Sequence, residues 1–102
     1  MPMTITAAQA RAARALVQWP RDHVARLAGL DAARLGAIEQ GLAALEAPVA
    51  ARLQNVLESG GAVFIPESDG RGVGVRLKFS GAVVRAIDGW EDEGGTPASD
   101  DV

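Results

Sequence analysis

The chain has 102 residues, 48% of them hydrophobic, and a formal net charge of −3. It has two tryptophans, two phenylalanines and no cysteine. That length bounds it to one small domain with a tail, and the lack of cysteine excludes disulfides, cysteine-ligated zinc and thiol catalysis.

The predicted elements begin with a capping box, Thr6 and Gln9, opening a first helix over about 7–18. Its spacing points Ile5, Ala8, Ala12, Ala15, Leu16 and Trp19 toward the core and Arg11, Arg14 and Gln18 toward solvent. Pro20 suits the start of a second helix that runs to about Ala28, burying Val24 and Leu27, with Gly29 as a left-handed stop. Asp31 is the N-cap expected for a third helix over 32–40, ended by Gly41. Leu35, Ile38 and Leu42 are its seating residues. The short interval between the second and third helices matches helix-turn-helix spacing. A fourth helix starts near Pro48, buries Val49, Leu53, Val56 and Leu57, and breaks at "SGG", 59–61.

The period then changes from helical to alternating. "AVFIP" (62–66) and "VGVRLKF" (73–79) read as strands joined by the turn-rich "ESDGRG", a hairpin over 62–79. A lone hairpin is marginal in water, so it has to pack on the helices or on a second copy of itself. From Ser80, a cap for a further helix, Val83, Ile87 and Trp90 recur at helical spacing. Residues 94–102 have nothing to bury and are expected to be a disordered acidic tail.

Charge is uneven along the chain. Residues 1–60 carry six arginines against five acids, and residues 61–102 carry four basic groups against eight acids. The acidic balance therefore belongs to the C-terminal part and does not exclude an anionic partner for the helical part. His23, the one histidine, has no clustered ligand partners and reads as a surface residue rather than a metal site. Asp22, Glu39 and Glu46 have no nucleophile or fixed-spacing partner, and "GRGVG" (70–74) leads into a strand rather than a helix, so no enzyme, cofactor or small-molecule ligand is expected. The sequence has no run of about 18 apolar residues and no basic-then-apolar leader, which gives the expectation of a cytoplasmic protein without a membrane span.

"VARLAGLDAARLGAIEQG" resembles the Cro and lambda-repressor-like helix-turn-helix family. Residues 4–79 are similar in particular to small bacterial regulators that open on "TIT.AQ.RAARALL.W" and close on "LE..GV.FI" and "GVRL". This chain has "TITAAQARAARALVQW", "VLESGGAVFI" and "GVGVRLKF" at those places. The resemblance implies a mainly α fold: a four- to five-helix domain over 1–60, followed by a C-terminal β-hairpin. It further implies a homodimeric, sequence-specific transcriptional regulator, a repressor, with helix 32–40 in the major groove of double-stranded DNA. Ala25, Gly29, Leu35, Ile38 and Gly41 match the family frame.

On the face expected to meet DNA, this chain departs from the polar side chains common in that family. Ala32, Ala33, Arg34, Ala37 and Gln40 are the residues expected to contact bases, the alanines by touching thymine methyl groups. Gly36 is expected on the same face, allowing close backbone approach. Arg11, Arg14, Arg21 and Arg26 are the expected phosphate contacts. Residues 61–93 are assigned to dimerisation, through Val63, Ile65, Val75, Leu77 and Phe79. The competing readings are a degenerate helix-turn-helix that docks a protein on its alanine face, and an antitoxin-like regulator acting through its acidic C-terminus.

Overall fold

The computed structural model describes residues 4–79. The helix expected after Ser80 and the tail 94–102 lie outside the described residues. Within them the chain is mainly helical: α1 (Ala7–Val17), α2 (Arg21–Leu27), α3 (Ala32–Glu39) and α4 (Ala47–Ser59) precede an antiparallel hairpin of β1 (Ala62–Ile65) and β2 (Gly74–Leu77). No helix among the described residues is long and apolar enough to cross a membrane.

Local chemistry sets the helix ends. Thr6 and Gln9 form the reciprocal capping box of α1, and the Asp31 carboxylate accepts from the Arg34 N–H to open α3. Gly29 and Gly41 take left-handed φ values of 75° and 78°. Each lets the next N–H reach back five residues: Leu30 donates to Ala25 O, and Leu42 to Ala37 O, both at 2.8 Å. The turn between α2 and α3 is thereby closed over Ala28–Asp31.

The core gathers Ile5, Ala10, Ala13, Val17, Val24, Ala25, Ala28, Leu35, Ile38, Val49, Ala50, Leu53 and Leu57, with Ala62 and Phe64 from β1. Here α1 corrects the expected helix face. Ala8, Ala12, Ala15 and Leu16 are exposed, and the buried stripe is Gln9, Ala10, Ala13 and Val17. Alanine lines both sides of α1, so periodicity alone offers two apolar stripes. Val17 goes inward with Ile5, while the larger Leu16 stays 37% exposed. Trp19 does pack on the core edge, its ring over Gly60. Two more residues expected to be buried are exposed: Leu27 by 52% and Leu42 by 78%. Val56 is half-buried. The small residues Ala25 and Ala28 let α2 seat on the core without Leu27, and the chain turns outward at Gly41 before Leu42.

The strands are shorter than the apolar patterns, and their register pairs Ala62 with Leu77 and Phe64 with Val75 on the inward face. Gln9 ties this hairpin to α1. Its buried amide donates to Gly74 O at 2.8 Å and Ile65 O at 3.3 Å, while its Oε1 accepts from Thr6 N at 2.9 Å.

Candidate nucleic-acid interface

The exposed side of α3 presents Ala33, Arg34 and Gln40, with Ala32 and Ala37 half-buried beside them. At 100° per residue, positions 33, 37 and 40 lie within about 60° of one another and 34 borders them. The opposite side of α3 is held by fully buried Leu35 and Ile38. Gly36 lies on the flank beside Gln40, about 40° away on the same wheel, but is covered rather than exposed, which corrects its expected exposure. It is buried, and the Arg21 guanidinium lies 3.5 Å from where a Cβ would stand.

Polar contacts hold the end of the helix. Glu39, the last residue of α3, is buried, with only 2% of its side chain exposed. Arg14 of α1 grips both carboxylate oxygens, Nε to Oε2 at 2.7 Å and an Nη to Oε1 at 2.9 Å. Arg21 of α2 reaches Oε1 at 3.4 Å, and the Arg11 guanidinium donates to the Glu39 carbonyl at 3.0 Å. Such two-point charge-assisted bonding fixes orientation as well as distance. The hydrogen bond to Glu39 raises the Arg14 pKa above its already high ordinary value; burial opposes the shift and the Glu39 charge adds to it.

The arginines expected together on a solvent face therefore divide. Arg14 is a half-buried strut between α1 and α3, which corrects its placement toward solvent. Arg11 and Arg21 are exposed but bonded to Glu39, and Arg21 keeps 44% of its side chain exposed. Arg26 is exposed and lies 3.2 Å from Nδ1 of His23. His23 is half-buried, edge-on to Trp19 with ring centres 4.9 Å apart. The Arg34 side chain makes no hydrogen bond or ion pair with another described residue.

Two contributors were missed in the sequence. In the sequence Glu39 reads only as an acid without a fixed-spacing partner, and Arg52, whose Nε donates to Ala28 O at 2.9 Å, secures the end of α2 at the turn. Both act across distant segments, Arg14 to Glu39 and Arg52 to Ala28, and no local pattern signals such a pairing.

The residues assigned to dimerisation also divide. Val75 and Leu77 pack against the chain's own core, Val63 and Ile65 lie on the outward face of the hairpin, and Phe79 is exposed. No protein-family model matches the chain, and no curated protein matches it significantly.

Proposed function

We propose that this chain is a DNA-binding transcriptional regulator, a cytoplasmic repressor that occupies promoter DNA as a homodimer. In this reading α2, the turn Ala28–Asp31 and α3 form a helix-turn-helix, and α3 enters the major groove. One observation carries it: α3 is fastened from behind by Leu35, Ile38 and the Glu39 cluster while Ala33, Arg34 and Gln40 stay free on its outer side. A helix about 10–12 Å across fits a groove about 12 Å wide. Small side chains let it approach closely, leaving Arg34 and Gln40 as the groups able to hydrogen-bond base edges.

Arg26 and the exposed part of Arg21 are the flanking cations suited to phosphates. Recognition then combines a few polar base contacts, thymine methyls and DNA shape. The test is recovery of genomic fragments on the purified protein, repeated with Arg34→Ala and Gln40→Ala. The expected result is a shared motif whose affinity falls about tenfold or more in Arg34→Ala. Absence of enrichment at low salt overturns the reading.

A further inference from the structure

We propose that the acidic segment 88–93, "DGWEDE", folds back onto the outer face of α3 in the same chain and competes there with DNA, so that the protein carries its own inhibitor. The competition rests on the preceding reading of α3; the contact itself is argued from charge, reach and shape.

Charge divides sharply along this chain. Residues 4–41, which hold α1, α2 and α3, carry five arginines against three acids, and residues 42–79 balance four basic groups against four acids. The positive surplus of the described residues therefore lies on the first three helices. Residues 80–102 have one arginine against six acids. Glu39 is buried and engaged by Arg14, whereas Arg21, Arg26 and Arg34 are exposed, and the Arg34 side chain pairs with no other described residue.

The chain also leaves the hairpin near this surface. Lys78 N donates to Gly61 O at 2.7 Å, so Phe79, the last described residue, stands beside the end of α4. The ring of Trp19 lies over the neighbouring Gly60 and meets His23 of α2 with ring centres 4.9 Å apart. His23 in turn lies 3.2 Å from Arg26. Contacts thus lead from the exit point to the cationic side of α2. Glu91 is twelve residues past Phe79. Twelve residues span up to about 40 Å, more than the roughly 30 Å across a domain of this size.

Shape favours a flat side chain on α3. Ala33 is exposed there, with Ala32 and Ala37 half-buried beside it and Arg34 at the border. Trp90 is the one aromatic beyond Phe79, and Glu91, Asp92 and Glu93 follow it directly. An indole laid on the alanines comes within reach of the Arg34 guanidinium, a cation that stacks well on aromatic faces. The carboxylates that follow are left to pair with Arg21 and Arg26. A ring flanked by carboxylates offers the same chemistry as a nucleotide, a flat base beside an anion. Tethering supplies an effective concentration of about millimolar, so even a weak contact holds the segment in place.

The chain has no cysteine, so Gly94→Cys gives one site for a nitroxide spin label directly after the segment. In the full chain without DNA, the label is expected to broaden the amide signals of Ala33, Arg34 and Ala37 more than those of residues 59–62 around the exit point, which an unattached tail would broaden most. Arg34→Ala is expected to abolish that difference. DNA titrations supply the second measurement, with circular dichroism checking that each variant is folded. At low salt, neutralising the acids together, Glu91→Gln with Asp92→Asn and Glu93→Gln, is expected to tighten duplex binding about tenfold. Trp90→Ala, which leaves the charge unchanged, is expected to tighten it about threefold, and both gains shrink as salt rises. Stronger broadening at 59–62, broadening of α3 that Arg34→Ala leaves intact, or a Trp90→Ala chain that holds DNA no more tightly than wild type overturns the proposal. So does broadening of α3 in unlabelled chains mixed with spin-labelled ones, which would place the segment on a second copy. If wild type and variants all fail to retain DNA while the label reports α3, the regulator reading falls and the contact stands.

Discussion

Among the described residues, truncating Arg14 leaves the buried Glu39 carboxylate with only the 3.4 Å contact from Arg21. Breaking a buried pair in this way costs about 3–5 kcal/mol, a large share of the roughly 5–15 kcal/mol that holds a domain folded. Arg14→Ala is therefore expected to lower the Tm by more than about 10 °C in a thermal melt. The contribution of the Arg14 charge does not change with pH near neutrality. A guanidinium whose pKa is raised by folding contributes its full stabilisation below the unfolded value and loses it only as pH rises through the folded one, in strong alkali. Gln18 offers the opposite kind of change. It ends α1 at φ 61°, a left-handed conformation that costs a side-chain-bearing residue about 1 kcal/mol. Gln18→Gly is expected to raise the Tm by a few degrees, and no rise would show that this backbone strain is relieved elsewhere.

At the scale of the element, α3 is short and its intrinsic helicity is weak, so its position comes from what it is packed on. Gly36 sharpens that point. Were it on the free face, adding a methyl would obstruct a close-lying ligand. In the structure the atoms nearest the added Cβ belong to the Arg21 side chain, at 3.5 Å, ordinary contact distance. Gly36→Ala is therefore expected to stabilise the protein by about 1 kcal/mol while changing DNA affinity less than twofold in a gel-shift titration. A large loss of affinity at unchanged stability would return Gly36 to the contacting face.

At the scale of the whole molecule, the hairpin stays on the helices through apolar contacts and one buried amide. Gln9 caps α1 and, through its Nε2, bridges the carbonyls of Ile65 and Gly74, so one side chain links the first helix to both strands. Gln9→Leu removes the donor and the capping acceptor together, at about 1–3 kcal/mol for groups left unsatisfied. Amide exchange over 62–65 and 74–77 should accelerate more than over α3, which Gln9 does not touch. Uniform acceleration would mean instead that helices and hairpin unfold as one unit.

How much was legible in the sequence follows the range of the interactions. The capping box at Thr6 and Gln9, the Asp31 cap, the stops at Gly29 and Gly41, and the change to alternating strands after "SGG" were all readable, because each depends on residues within one or two turns of chain. The sequence by itself therefore determined the order of four helices and a hairpin and the outward placement of Arg34 and Gln40. Only the tertiary structure decided which stripe of the alanine-rich α1 is buried, that Gly36 lies beneath Arg21, and that Arg11, Arg14 and Arg21 converge on Glu39. Those outcomes depend on what each helix packs against and on charges brought together across as many as 28 positions. Burial leaves a carboxylate little choice but to find its partners, wherever in the chain they lie.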